Sequence, residues 1–250
     1  NYTVWHCIDD MGVPMDSVFY FEHNELLHDT LLNLTAHAEQ PNTQLLLIHG
    51  GSHSGKTHLA TALYHMASQQ KLSVCYLDMA ELFAPEILNA YNAMQGNDNA
   101  ESIYMELLAN YDQHELIIVE NIHVVADQTS LQIALFDLIN RCIESGASML
   151  LTSTIGPTNT DFELPDLRSR LTWGQVYQLE SLSDLGLEQV VTDYVAMKGL
   201  NMQSAAINYL LKFTTRDIAH IQTVLGKLDQ LALSEQKAIT IPLIKKALGI

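Results

Sequence analysis

Eight consecutive residues of this chain match the phosphate-binding pattern G-x-x-x-x-G-K-[ST] without a mismatch. They are Gly50, Gly51, Ser52, His53, Ser54, Gly55, Lys56 and Thr57. In such a loop the backbone N–H groups surround a β-phosphate, the lysine ammonium reaches the β- and γ-phosphates, and the last hydroxyl binds Mg²⁺. The motif therefore predicts that the chain binds a nucleoside di- or triphosphate.

The residues on either side of this loop have the patterns that a phosphate site requires. Residues 45–48 read Leu-Leu-Leu-Ile, an apolar run that is typical of a buried parallel strand. After the loop, Leu59, Leu63 and Met66 recur at helical spacing. A strand, a glycine loop and a helix in this order favour a real site over a chance glycine turn.

The second half of such a site is an acid at the end of a neighbouring buried strand. Two apolar runs end in an acid, one at Asp78 and one at Glu120. The run before Glu120 is more uniformly aliphatic, so we assign Glu120 and Thr57 to the metal and keep Asp78 as the alternative. Asn121 then occupies the position at which an ATPase normally carries the carboxylate that orients water. An amide cannot accept a proton near neutral pH.

Two arginines, Arg168 and Arg170, lie close together in the segment 164–174, in a region that contains few other cations. Arg170 has two interpretations. It could form an ion pair with a neighbouring carboxylate of the same chain. Alternatively, it could project as an arginine finger toward the nucleotide of another subunit.

The charge of the chain argues against a DNA-binding surface. The sequence contains 12 Lys and Arg residues against 29 Asp and Glu, for a net charge of −17. Residues 1–175 hold five of the basic and 22 of the acidic residues, whereas 176–250 hold seven of each. Nucleic-acid binding needs clustered cations, so we expect little direct DNA binding and a protein as the partner.

Composition also bears on where the protein works. No apolar run approaches the roughly 18 residues that a membrane-spanning helix needs, so no membrane association is expected. The three cysteines have no metal-like spacing and leave an odd thiol, which suits a reducing cytoplasm.

Strand and helix patterns alternate up to about residue 179, and the strand patterns then stop. Strand patterns occur at 18–21, 44–49, 73–77, 116–120, 148–153 and 176–179. This alternation predicts an α/β nucleotide-binding base with a parallel sheet over residues 1–179. Helix-capping residues at Ser183, Gly199 and Ser204, and a proline near the start of the last helix, predict a small all-helical domain over 180–250.

Taken in order, the phosphate loop, the strand acid and the segment 168–174 (Arg-Ser-Arg-Leu-Thr-Trp-Gly) resemble an AAA+ ATPase of the DnaA branch. The closest resemblance is to the Hda family, the regulatory inactivators of DnaA. Residues 135–146, 164–175 and 237–242 are similar to that family at the corresponding places. The resemblance covers roughly residues 16–250 and implies an AAA+ parallel-sheet base followed by a helical lid.

The resemblance also implies a function. Members of this family are cytoplasmic regulators of replication initiation that bind ADP or ATP with Mg²⁺, associate with the DNA-loaded sliding clamp and stimulate ATP hydrolysis by DnaA. The finger role falls to Arg170, and weak or no hydrolysis by the chain itself is expected. A homo-oligomer is a further expectation. One alternative is an AAA+ enzyme that hydrolyses ATP itself, such as a helicase loader or transposition ATPase. Another is an adaptor in which nucleotide only stabilises the fold.

The chain departs from the family pattern at three places. The lid helix of the family usually offers an arginine to the nucleotide, but Ala219 stands there, and Arg216, about one turn away, is the substitute. Glu120 replaces the expected aspartate and is one methylene longer. No glutamine-rich, leucine-containing clamp-binding peptide precedes Asp9 in the sequence.

Overall fold

The computed structural model describes residues 2–8, 14–22, 25–35, 43–89, 100–215, 218–235 and 237–249. The chain divides into two compact units. We call residues 24–180 the sheet unit, and residues 1–23 together with 181–250 the helical unit.

The described elements are numbered in chain order. The strands are β1 (Tyr2–Ile8), β2 (Pro14–Glu22), β3 (Leu45–His49), β4 (Val74–Asp78), β5 (Leu116–Glu120), β6 (Ser148–Ser153) and β7 (Gln175–Gln178). The helices are α1 (Glu25–Thr35), α2 (Lys56–Gln69), α3 (Met79–Leu82), α4 (Ala100–Leu107), α5 (Thr129–Ser145), α6 (Pro165–Trp173), α7 (Asp184–Met197), α8 (Ser204–Phe213), α9 (Ile218–Glu235) and α10 (Ile241–Leu248).

The sheet unit contains a five-stranded sheet in the order β4-β5-β6-β3-β7, and all its strands are parallel. The predicted α/β fold with a parallel sheet is therefore confirmed. Because the strands run the same way, the carboxyl ends of β3, β4 and β5 lie at one edge of the sheet. The register sets Asp78 directly opposite Glu120 at that edge. Parallel α/β sheets place ligands at this edge.

Helices cover both faces of the sheet, as the continuous apolar strands require. One face packs against α3, α5 and α6, and its core includes Leu47, Val119 and Leu151. Helix α2 packs against β4, β5 and β6, and α1 packs against α2. Helix α5 ends at Ser145 and is capped by Gly146, whose φ of 82° is left-handed, as the glycine in the sequence predicts.

The helical unit is built from α7, α8, α9 and α10 around a core of its own. Ser183 caps α7, as predicted, because its hydroxyl accepts a hydrogen bond from the N–H of Gly186 over 3.0 Å. Ser204 does not cap α8. It is the first helical residue, and Gln203 takes the capping position without a side-chain hydrogen bond. Pro242 lies in the first turn of α10, where its missing N–H costs nothing.

Strands β1 and β2 form an antiparallel hairpin that also belongs to the helical unit. The sequence indicates β2 through its aromatic run, but β1 was not predicted. Among the described helices, none combines the length and hydropathy that a membrane span requires.

Candidate functional site

The phosphate-loop motif connects the end of β3 to the start of α2 in a tightly packed turn. The N–H of Gly50 donates to the carbonyl oxygen of Ser153 over 3.1 Å. A Cβ at Gly50 would lie 2.1 Å from the carbonyl oxygen of Leu179, so only glycine fits there. Gly55, immediately before α2, has a φ of 99°, which favours glycine as well. The packing at Gly50 and the backbone conformation at Gly55 therefore both require glycine.

The loop is open on the side that a ligand would approach. Gly51, Ser52, His53 and Thr57 are exposed, and no side chain caps the start of α2. The amino end of a helix carries N–H groups without partners inside the helix and a partial positive charge. Such an end can accept an anion, as the sequence motif predicts.

The side chain of Lys56 points back into the loop and is only 7% exposed. Its Nζ donates to the carbonyl oxygens of Gly50 and Gly51, both over 2.8 Å, and to Oγ of Ser54 over 3.3 Å. Burial lowers the pKa of this ammonium, and the charge of Glu120 opposes the shift. Among the described residues, no carboxylate is close enough to form an ion pair with Nζ. A phosphate would supply that missing counter-charge.

Glu120 ends β5 as a carboxylate that is only 2% exposed. Tyr76 donates its hydroxyl hydrogen to Oε2 over 2.5 Å, and Thr152 donates to Oε1 over 3.3 Å. The hydroxyl of Thr57 lies near enough to this carboxylate to favour its charged form. Burial raises the pKa of Glu120, although the three hydroxyls oppose the shift. The structure thus places Thr57 and Glu120, the two predicted metal ligands, near each other.

Asn121, the residue after Glu120, forms two hydrogen bonds with neighbouring residues. Its Nδ2 donates to Oδ1 of Asp78 over 3.0 Å, and its N–H donates to Oγ1 of Thr152 over 3.2 Å. Its φ of 60° is left-handed, a conformation that asparagine tolerates better than most residues. The alternative acid of the sequence analysis, Asp78, is therefore held beside the preferred one by an amide.

Three residues near this edge were missed by the sequence analysis. Burial removes water from Tyr76 and raises the pKa of its hydroxyl, and the hydrogen bond and negative charge of Glu120 raise it further. Burial and the charge of Lys56 lower the pKa of His49 and of His123, so both imidazoles favour the neutral form. Of these three residues, only Tyr76 could have been found from the sequence. It lies two residues before Asp78 on the same strand, and residues two apart on a strand share a face.

Arg170 lies on α6, well away from the loop in the chain. Its Nε donates to Oδ1 of Asn140 on α5 over 2.7 Å. Among the described residues, no carboxylate pairs with it. Arg141 provides the contrast, because it is bound by Asp112 and Asp137. Arg216, the predicted lid contact, lies outside the described residues.

Comparison with known proteins defines the family. The model of the bacterial DnaA ATPase domain matches residues 15–178. This chain belongs to the bacterial DnaA ATPase family. The model of the Hda lid domain matches residues 188–248, so the DnaA-type ATPase region is followed by an Hda-type lid. An uncharacterised protein of Haemophilus influenzae is 31% identical over 248 residues, which are 98% of this chain and 96% of that protein.

Solved structures show the same DnaA-type AAA+ fold. Domain III of the replication initiation protein DnaA from Thermotoga maritima superimposes with a TM-score of 0.72 at 17% identity, over 92% of each chain. AMPPCP-bound DnaA from Aquifex aeolicus gives a TM-score of 0.65 at 21% identity. That match covers 86% of this chain and 63% of the Aquifex chain. At these identities the likeness concerns the fold alone.

The buried carboxylate generates a pH-dependent prediction for the nucleotide-free protein. The pKa of Glu120 is raised in the folded state, so the folded state binds more protons than the unfolded state above the ordinary pKa of 4.5. Stability is therefore lost as the pH rises from 4.5 through the folded-state pKa. Glu120→Gln removes this titration, so its melting temperature relative to wild type should increase as the pH rises toward neutral.

Thermal melting of both proteins between pH 4 and pH 8 measures the difference. Glu106→Gln, at an exposed position on α4, is the matched control and should show no such trend. A difference for Glu120→Gln that stays constant across the pH range would contradict a raised pKa.

Proposed function

We propose that this protein is a nucleotide-binding regulator of chromosomal replication initiation that stimulates ATP hydrolysis by DnaA through an arginine finger, Arg170. Its domains are a nucleotide-binding base over residues 1–179 and a lid over 180–250. It binds ADP or ATP through the eight loop residues, with Glu120, Asn121 and Arg216 around the nucleotide. The observation that carries the proposal is the position of Arg170 relative to the chain's own phosphate loop.

That position follows from the sheet register. Gln175, at the start of β7, pairs with Leu46 near the start of β3, whereas the phosphate loop follows the last residue of β3. Arg170 is on α6, five residues before Gln175. It therefore lies toward the end of the sheet at which the parallel strands begin. A five-residue strand spans about 16 Å. A guanidinium on that side of the unit suits a nucleotide on another molecule better than its own.

The nucleotide site of this chain is better suited to binding a nucleotide than to hydrolysing it. The buried Lys56 ammonium has no carboxylate partner among the described residues, and the loop is open to an anion. Thr57 and Glu120 would hold Mg²⁺, which neutralises phosphate charge when it is bound. Asn121 cannot act as a general base. Weak or no intrinsic ATPase activity is therefore the expected property.

The family resemblance supplies the remaining parts of the proposal. DnaA is the main partner, since the ATPase region and the lid match DnaA and Hda models. The DNA-loaded sliding clamp, a homo-oligomer and a cytoplasmic location are proposed from the same resemblance. Little direct DNA binding is proposed from the net charge of −17.

A second candidate function is favoured by one observation. Asp78 lies within hydrogen-bond distance of Asn121, so a carboxylate is present at the edge where attacking water would be oriented. If Asp78 fulfils that role, the chain is a self-hydrolysing AAA+ ATPase such as a helicase loader or transposition ATPase. Steady-state turnover by the purified protein separates the two, because brisk hydrolysis in the absence of DnaA supports the second.

Exchanging the amide and the carboxylate tests this distinction. Asn121→Asp alone should lower the unfolding free energy by about 1–3 kcal/mol, because it replaces a hydrogen bond with two adjacent carboxylates. The double variant Asp78→Asn, Asn121→Asp restores an amide–carboxylate pair and places the carboxylate directly after Glu120. It should recover stability and hydrolyse ATP at least about tenfold faster than wild type, since a positioned base contributes ~10²–10⁴.

Urea unfolding and a steady-state phosphate-release assay measure the two effects. Asp78→Asn alone is the control for losing the native carboxylate. A large drop in turnover for Asp78→Asn, together with no gain in the double variant, would favour the self-hydrolysing alternative.

Nucleotide binding itself is tested by thermal melting. ADP or ATP should raise the melting temperature, because a ligand specific to the folded state adds about 2.7 kcal/mol at one hundred times its Kd. Lys56→Ala should abolish the shift by removing the buried counter-charge. Lys71→Ala is the matched control, since Lys71 is the other lysine of residues 24–180 and is exposed. An unchanged shift in Lys56→Ala would place the nucleotide elsewhere.

The finger role is tested in a mixture with DnaA. Arg170→Ala should keep its own nucleotide-induced melting shift but lose stimulation of the DnaA ATPase, because a finger contributes ~10³–10⁵ to phosphoryl transfer. Arg170→Lys should fail as well, since an ammonium does not reproduce the planar fork. Arg168→Ala, on the same helix, removes the same charge and should retain stimulation. Loss of nucleotide binding or unfolding in Arg170→Ala would mean an internal structural role.

A further inference from the structure

Tyr76 contacts the predicted metal ligand Glu120 but has no role in the proposed function. It lies on β4 opposite Ile118 of β5, so its side chain is on the same sheet face as Glu120, two residues after Ile118. Its hydroxyl donates to Oε2 of Glu120 over 2.5 Å. An O–H donor at this distance from a carboxylate forms one of the stronger kinds of hydrogen bond in proteins. Tyr76 therefore holds one of the two carboxylate oxygens.

The ring of Tyr76 is itself fixed by packing against α2. It meets the ring of Tyr64 edge to face, with the centroids 5.9 Å apart and the planes at 86°. Aromatic pairs prefer this arrangement. Helix α2 begins at Lys56, directly after the phosphate loop, and packs against β4 and β5. The hydroxyl of Tyr76 is thus carried by a ring that is held between the sheet and the helix of the phosphate loop.

The other carboxylate oxygen of Glu120, Oε1, is held less tightly. The hydroxyl of Thr152 donates to it over 3.3 Å, which is long for a hydrogen bond between two oxygens. A carboxylate has about four lone-pair positions, so a cation can bind Oε1 while both hydroxyls stay in place. Thr57, the other predicted metal ligand, is near this carboxylate. The hydrogen bond from Tyr76 is therefore compatible with a metal ion on Glu120.

Glu120 needs such a restraint for two reasons. Its side chain has one rotatable bond more than the aspartate expected at this position, so more rotamer freedom is lost when it is held in one orientation. The buried ammonium of Lys56 also competes for the carboxylate. The charge of Glu120 acts on the pKa of Lys56, although the two groups form no ion pair. If the carboxylate turned toward Lys56, the cation that suits a phosphate and the anion that suits a metal would neutralise each other.

We propose that Tyr76 is a positioning residue of the nucleotide site, whose hydroxyl holds Glu120 in the orientation that binds Mg²⁺. This inference rests on the nucleotide binding in the proposed function and is independent of the finger role of Arg170. Groups that hydrogen-bond to a metal ligand orient that ligand, and losing one typically lowers metal affinity ~10–100-fold. Tyr76 acts through Glu120 and does not itself contact the metal.

The test is the Mg²⁺ dependence of nucleotide binding. Affinity for AMPPCP, an ATP analogue that is not hydrolysed, is measured by isothermal titration calorimetry at increasing concentrations of free Mg²⁺. Tyr76→Phe removes only the hydroxyl and should raise the Mg²⁺ concentration that gives half of the affinity gain ~10–100-fold. Tyr64→Phe removes the same atom from the neighbouring ring, and this matched control should give the wild-type midpoint.

A double variant shows whether the hydroxyl acts through Glu120. Glu120→Gln should itself raise the Mg²⁺ midpoint, because Mg²⁺ is usually bound through carboxylates. Adding Tyr76→Phe to Glu120→Gln should raise the midpoint no further, since the two changes remove the same interaction. A merely structural role of Tyr76 would instead lower AMPPCP affinity at every Mg²⁺ concentration, in both backgrounds, and leave the midpoint in place. Near-UV circular dichroism and melting verify that each variant is folded.

The outcomes separate this inference from the proposed function. An unchanged midpoint in Tyr76→Phe, or an equal shift with and without Glu120→Gln, overturns the positioning role and leaves nucleotide binding intact. Wild type that binds AMPPCP with no effect of Mg²⁺ overturns it too, because Glu120 then holds no metal. If wild type does not bind AMPPCP, the proposed nucleotide site and this inference fail together, and the DnaA assay with Arg170→Ala still tests the finger role.

Discussion

The ammonium group of Lys56 is nearly inaccessible to solvent, and its three hydrogen bonds tie the start of the phosphate loop to its end. All three acceptors are neutral oxygens. A buried charge without a charged partner is costly, and the lowered pKa of Lys56 expresses that cost. The loop is therefore organised around a cation whose most favourable partner is an anion from outside the chain.

Glu120 is also a buried charged group, but its charge is negative. Its carboxylate is buried at the end of β5, an interior strand of the sheet, and accepts hydrogen bonds from the hydroxyls of Tyr76 and Thr152, although its pKa remains raised. A divalent cation would remove this penalty as a phosphate would remove that of Lys56. The site thus holds two opposite buried charges that do not form an ion pair with each other, which suits a Mg²⁺-nucleotide between them.

Arg141 on α5 and Arg170 on α6 show two different uses of the few cations in the sheet unit. Arg141 binds two carboxylates and the carbonyl oxygen of Leu108, so its charge is used to join α5 to the segment that precedes β5. Arg170 makes one described hydrogen bond, to the neutral amide of Asn140. A guanidinium carries five N–H donors, so one such bond orients it without neutralising it. The fold holds Arg170 in place and leaves its charge available.

The sequence by itself determined the α/β class, the phosphate loop and the strand that ends in Glu120, because glycine spacing and apolar runs report local backbone requirements. It also determined the caps at Ser183 and Gly146. It misjudged the cap at Ser204 and missed β1, since a helix start and a hairpin strand depend on what packs against them. Only the tertiary structure decided that Asp78 and Asn121 share a hydrogen bond, that Tyr76 holds Glu120, and that Arg170 lies at the opposite end of the sheet from the loop. Those relations join residues that are 30 or more positions apart. Strand order and register, which no local pattern encodes, bring them together.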